Sequence, residues 1–451
     1  MTENNTSLSG YAGLLRTDHD ALLDASRDFG HIVSGRPLGV LRPRSVAEIR
    51  ELLSFASARG LPVAVRGGAH SLFGQGQAPG GLVIDMAEMN EVLTVTGTHA
   101  AVQAGALWRD VMDAVIPHGL TPPVLTDYLG ASVGGVLCTG GIGGASHRSG
   151  LVADSVQELE VVTATGEHVT CSPERDPALF HAVLAGLGQY GIIVRATLRL
   201  VPAPGTVRRY CLYYTDLSAY LTDQRRLAHE RRFLYVEGQA RPAPGQRWQY
   251  MIEAVAAHTG QRPPDDARLI GDLAHDPDIQ EVTDLGYAEF ADRVAHEERL
   301  LTATGEWGRP HPWLNLLLPE RTAAAVVTEV LADSGFKDLR TTGLVLLYPL
   351  LSERLRAPML RRPDGELLYL FSLLRTAPPG GTEAVEPMVA ANRAAYEYAK
   401  SMGAFAYPIN ALPMAPADWR AHYGDQWRTL AAAKRRYDPH AILTRGHGLR
   451  W

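Results

Sequence analysis

Two clusters of glycine constrain this chain more than any other feature. The first, VRGGAHSLFGQGQAPGGLVIDM at 65–86, holds six glycines and one histidine, His70, between a short apolar strand ending at Val65 and another beginning near Leu82. The second, SVGGVLCTGGIGGASHRSG, runs over 132–150. Glycine weakens regular elements and is useful where backbone turns with positive φ or lies directly against a ligand. Loops of this kind turn N–H groups toward anionic oxygens, above all a pyrophosphate. Neither cluster is a common nucleotide fingerprint. There is no GxxxxGK[ST], and the second offers Gly141, Gly143 and then Ser146 where a Rossmann turn wants a third glycine. The pattern predicts a dinucleotide held by another fold.

At 451 residues the chain exceeds what one hydrophobic core usually serves, so two or three domains are expected. Hydrophobic residues make up 46% and charged ones 20%, with a net charge of -6, and the basic residues form no stripe, which argues against nucleic acid as a partner. The N-terminal MTENNTSLSG is polar, and no apolar run approaches the ~18 residues of a membrane helix. A cytoplasmic protein without a membrane partner is predicted. Cys138, Cys171 and Cys211 are odd in number and lack CxxC spacing, so neither a disulfide framework nor a zinc site is indicated.

Three regions separate along the chain. From about 37 to 200, short strands alternate with brief helices, as in PRSVAEIRELLSFASARG, a helix with a glycine stop, followed by the strand LPVAVRG. From about 206 to 400, helices such as PERTAAAVVTEVLADSG intersperse with strands such as RWQYMIEAVA and GELLYLFSLLRTA. The tail carries one helix, DWRAHYGDQWRTLAAAKRRY, followed by DPHAIL. Its KRRYDP run, 434–439, reads as a solvated helix end, since cations belong at helix C-termini. The fold class is α+β.

RGGAHSLFGQGQAPGGLVIDM, TDYLGASVGGVLCTGGIGG, LFHAVLAGLGQYGIIVRATL, PHPWLNL and DPHAIL, in that order, resemble successive blocks of the cytokinin dehydrogenases, within the vanillyl-alcohol-oxidase class of FAD enzymes. The resemblance implies a two-part PCMH-type FAD-binding domain, with 1–205 as its first part and 405–451 as its second. An inserted substrate domain of antiparallel sheet flanked by helices would span 206–404. It implies that His70 is joined covalently to the 8α carbon of the flavin, within a cradle of Gly67, Gly68 and Ala69. A glycine is usual where Ala69 stands. It further places Ser71, Gln75, Ser132, Cys138, Ile193, Tyr407 and His447 against the cofactor, the last in place of a glutamine. Pro408 stands where a leucine is usual.

For the chemistry, the resemblance implies oxidation of a secondary amine, with removal of the N6 side chain of an N6-isopentenyladenine-type cytokinin. Asp127, in TDYL, matches the catalytic aspartate, placed against the cofactor and expected to accept a hydrogen bond from the substrate N–H. Glu253, in YMIE, matches an acid that closes the far side of the purine and orients the aspartate. Two carboxylates in one pocket push their pKa values apart, leaving one protonated as a donor. Trp313 is expected to fill a domain interface. The electron acceptor, whether oxygen, a quinone or another molecule, is left open. An alcohol, sugar or natural-product tailoring oxidase on the same scaffold is the alternative, although Leu129 and Gly130 stand where a second flavin-linking cysteine would be. A non-enzymatic flavin-binding module would leave Asp127 and Glu253 without purpose.

Overall fold

A computed structural model describes residues 14–258, 263–379 and 381–449. The polar segment MTENNTSLSG lies outside the described residues. The first glycine cluster is built into a three-stranded parallel sheet, Gly39–Leu41, Val63–Arg66 and Leu82–Asp85, with the last of these in the centre. The helix Val46–Arg59 crosses between the first two strands. It is capped by Ser45, whose side chain accepts from the Glu48 N–H, and it buries Ile49, Leu52, Leu53 and Ala56 along one stripe.

Val63–Arg66 and Leu82–Asp85 are parallel neighbours, so the chain must travel back the full length of the sheet between them. It does so as the glycine-rich loop 67–81. A structureless loop of that length in a compact domain is usually functional.

A five-stranded antiparallel sheet follows, in the order Val92–Val95, His99–Gln103, Ile192–Arg199, Val156–Val162, His168–Cys171. The tail then returns to the parallel sheet. The Val63 N–H donates to the Ile442 carbonyl and the Thr444 N–H to the Val63 carbonyl, so Leu443 runs parallel beside Val63.

Between these parts lies an eight-stranded antiparallel sheet, in the order Glu281–Gly286, Thr206–Tyr214, Arg247–His258, Tyr235–Ala243, Leu344–Leu351, Leu367–Leu374, Leu314–Pro319, Phe405–Ala406. Three of its strands, Leu344–Leu351, Leu367–Leu374 and Leu314–Pro319, are apolar on both faces because both are covered. Leu316, Leu318, Tyr369 and Phe371 pack under the helices Leu217–Glu230 and Glu320–Ala332, whereas Leu317, Leu368 and Leu370 join the core of the glycine-loop region. Phe405–Ala406 pairs with Leu316 and Leu317, so the sheet continues two residues past the boundary expected at 404.

Two expectations about the tail are corrected. The single helix over 418–437 is two, Pro416–Tyr423 and Trp427–Tyr437, because Gly424 turns between them at φ 51°. The basic run is not wholly solvated: Lys434 is buried, 2.8 Å from the equally buried Asp438. Leu430, Lys434 and Tyr437 share the buried stripe of that helix, which forces the lysine inward. Among the described residues no helix is long and apolar enough to cross a membrane.

Candidate active site

Both glycine clusters line one cavity of about 210 Å³, together with Ile193 and Cys138 and the tail residues Thr444 and His447. Seven of its lining residues are glycines. A side-chain carbon on Gly67 would collide with Ser132 Oγ, and that close approach brings the two clusters together. Ser132 caps the helix Val133–Thr139 by accepting from the Gly135 N–H. Arg66 also lines the cavity, and its buried Nε has no partner, which suits an anionic group. Gly67, Gly68, Ala69, His70, Ser71, Gln75, Ser132, Cys138, Ile193 and His447, all expected to meet the cofactor, lie on this wall.

His70 sits inside a stack of rings. Its imidazole lies 4.0 Å from the Phe29 ring on one side and 4.4 Å from Tyr128 on the other, both nearly parallel, and His311 stacks on the far face of Phe29 at 4.1 Å. Burial among these rings pushes His70 down to about 3, so the imidazole is neutral and its nitrogen lone pair is free to act as a nucleophile. Trp313 meets the stack edge-on, 6.2 Å from His70, and packs with Phe29 and Leu72.

The polar residues of the loop hold the loop itself. Ser71 Oγ donates to Asp28, which also accepts from the Gly74 N–H. Gln75 Oε1 accepts from Leu72 and Phe73, while its Nε2 donates to the Asn410 carbonyl in the tail. Burial lifts the Cys138 thiol to about 11, leaving a neutral, weakly bonding group. Tyr407, expected beside the flavin, is not on this wall. It is buried, and its hydroxyl accepts from the Gly141 N–H at 3.1 Å, so it supports the second glycine cluster while Pro408 and Ile409 line the cavity.

Asp127 lies on a different wall from the one expected. With Tyr235, Phe290 and Arg293 it lines a second cavity of about 330 Å³. Asp127 accepts from the Tyr235 hydroxyl at 2.7 Å and from Arg293 Nη2 at 2.9 Å. Its neighbour Tyr128 connects it to the cofactor cavity, stacking on His70 and donating to Glu298 at 2.8 Å. Arg293 and Glu298 flank the start of the helix Val294–Ala303, so one segment of the inserted region clamps both Asp127 and Tyr128.

Glu253 does not touch Asp127. It is 2% exposed, ion-paired with Arg209 and 3.5 Å from Arg293, which links it to the aspartate. It lines neither of these cavities, although a purine contact was expected of it. Directly across the strand pair stands Glu237, which contacts the Tyr235 hydroxyl and lies 3.3 Å from Arg293. Burial, then the Asp127 charge, raise Glu237 well above the usual carboxylate range. Tyr235, Glu237, Arg293 and Glu298 escape the sequence reading. An acid within the apolar strand FLYVEG was the available signal for Glu237.

A model of the FAD binding domain matches residues 37–172, and one described as cytokinin dehydrogenase 1, FAD and cytokinin binding, matches 243–449. Cytokinin dehydrogenase 10 of Oryza sativa subsp. japonica is 38% identical over 503 aligned positions, covering 100% of this chain and 90% of that protein. The chain belongs to the cytokinin dehydrogenase family. Cytokinin dehydrogenase 4 of Arabidopsis thaliana is 32% identical over 96% of the chain and 91% of its own length. A protein of Rhodococcoides fascians named uncharacterized oxidoreductase ORF5 in fasciation locus is 42% identical, over 97% and 99%. This family member is thus an FAD-dependent oxidoreductase with a PCMH-type FAD-binding region and a cytokinin-binding-type domain.

Proposed function

We propose that the chain oxidises N6-alkylated adenines of the isopentenyladenine type, with FAD held in the glycine-walled cavity and joined to His70. The observation that carries this reading is the Asp127–Tyr128 pair. One residue presents a carboxylate to a cavity of about 330 Å³, and the next stacks on the histidine of the cofactor cavity. The names of the plant relatives supply the substrate class.

When bound, the flavin supplies the two-electron acceptor that takes a hydride from the carbon beside the amine nitrogen. Asp127 accepts the substrate N–H, so positive charge growing on nitrogen is offset where it develops. Arg293 and Tyr235 fix the carboxylate's direction, and Glu253 fixes Arg293. Water hydrolyses the resulting imine to adenine and an aldehyde. Oxygen, a quinone or another acceptor closes the cycle.

Anaerobic mixing with N6-isopentenyladenine tests the reading. The wild type bleaches, while Asp127→Asn bleaches about a hundredfold or more slowly with its FAD content unchanged. An Asn variant that bleaches at the wild-type rate removes Asp127 from the chemistry. The covalent bond is tested separately: acid-precipitated wild type stays yellow and His70→Ala does not. Colour released from wild type rules the bond out.

A further inference from the structure

A histidine that bonds a carbon atom must present its nitrogen in one direction, and the nitrogen lone pair lies in the plane of the ring. Fixing that plane fixes the line of attack. Among the described residues no hydrogen bond reaches either ring nitrogen of His70, so the plane is set by stacking: Phe29 lies at 20° to it on one face and Tyr128 at 24° on the other. Both ends of this sandwich are backed by the inserted domain. His311 stacks behind Phe29 at 4.1 Å, while the Tyr128 hydroxyl donates at 2.8 Å to Glu298 on the helix Val294–Ala303. The Tyr128 ring has little room to move, since a side-chain carbon on Gly130 would strike it. Arg109, on the helix Trp108–Val115, lies 3.5 Å from Glu298 and 3.2 Å from Asp292, just ahead of the inserted helix. Trp307, beyond that helix, leans against both rings, 6.0 Å from His70 and 5.6 Å from Tyr128.

We propose that the inserted domain prepares His70 for the flavin: Glu298, acting through the Tyr128 ring, holds the imidazole in the plane from which it bonds the 8α carbon. Tyr128 and Glu298 are then positioning residues for attachment, a step separate from oxidation of the substrate. The inference rests on the proposed His70 bond. Attachment exchanges a C–H bond of the 8α methyl for a C–N bond. The methyl carbon gives up a proton, the imidazole lone pair bonds to that carbon, and the other ring nitrogen sheds its N–H proton. The electron pair left on the flavin passes with two protons to molecular oxygen, which leaves as hydrogen peroxide. Because the rings that fix His70 come from both parts of the chain, the bond forms only after the inserted domain has docked.

The test follows attachment directly. Full-length apoprotein from flavin-starved cells is given FAD in air, and samples are precipitated with acid over time. Flavin that stays with the pellet measures attachment, and fluorescence quenching measures the FAD affinity that precedes it. Glu298→Ala and Tyr128→Phe each lose the hydrogen bond and should attach flavin about tenfold more slowly at saturating FAD, with affinity unchanged. Glu298→Gln keeps an acceptor for the hydroxyl and attaches at close to the wild-type rate. Tyr128→Leu loses the ring and slows about a hundredfold. Since the two residues act as one unit, Tyr128→Phe combined with Glu298→Ala is no slower than either alone. Single variants that attach at the wild-type rate, or that lose attachment only in step with FAD affinity, overturn the proposal and leave the His70 bond standing. A double variant whose losses multiply does the same. A wild type that gains no acid-stable flavin removes the His70 bond, and the proposal with it.

Discussion

Ala69 stands in the left-handed region at φ 52°, just ahead of His70, and its carbonyl accepts from the Phe29 N–H at 2.9 Å. A side-chain carbon makes that conformation costly by roughly 1–2 kcal/mol, which glycine avoids. Part of the gain is lost to the greater freedom of glycine in the unfolded chain. Ala69→Gly should therefore raise stability by about 1 kcal/mol, read as a higher urea midpoint with an unchanged slope. At this scale the sequence was readable where chemistry and backbone coincide. His70 sits in a motif made of glycine, so its setting is visible in the text of the chain. Arg293 and Glu298 were not, because FADRVAHEE has the composition of any solvated helix. Only the third dimension shows that its polar side chains point at Asp127 and Tyr128.

The helix Trp427–Tyr437 owes its place to one buried ion pair. Lys434 Nζ donates to the Gln189 carbonyl at 2.8 Å as well as to Asp438, and Asp438 accepts from the Ile442 and Leu443 N–H groups. The lysine thus joins the helix to the LAGLGQ loop, and the aspartate shapes the turn into the last strand-like segment. Removing one partner strands a buried charge, commonly at a cost of 3–5 kcal/mol. Lys434→Met should lower stability by about that much, seen as an earlier urea transition. Lys434→Met with Asp438→Asn should recover part of the loss. The element reading failed here because a charge run was judged by composition. The spacing of Leu430, Lys434 and Tyr437 already put the lysine on the apolar stripe. The helix Val46–Arg59 was legible for the opposite reason: cap, stripe and stop all agree.

Across the whole molecule, burial sets the response to acid. His147, His311 and His422 are buried, and desolvation pushes them down to about 4, 4 and 3 from the usual 6.5. The unfolded chain binds protons at these positions below about pH 6.5 and the folded chain does not. Their contribution is complete above pH 6.5 and is lost as pH falls toward 4, with a slope approaching about 1.4 kcal/mol per unit for each. Calorimetry of the apoprotein between pH 7 and 5 should show the melting temperature falling. A flat profile would mean that the three rings titrate normally. The return of the tail also predicts that a chain ending at residue 400 loses FAD, because Thr444 and His447 line the cavity and Leu443 lies beside Val63. That pairing joins residues 380 positions apart in the chain, since 443 − 63 = 380. On a translating ribosome, the sheet bearing His70 waits with an open edge until Leu443 has emerged. Contacts so distant in sequence form late, and exposed edges invite association with other chains. Cofactor loading is thereby deferred until the segment 443–447 has emerged, and a nascent chain interrupted anywhere in the inserted domain is a species for chaperones to shelter.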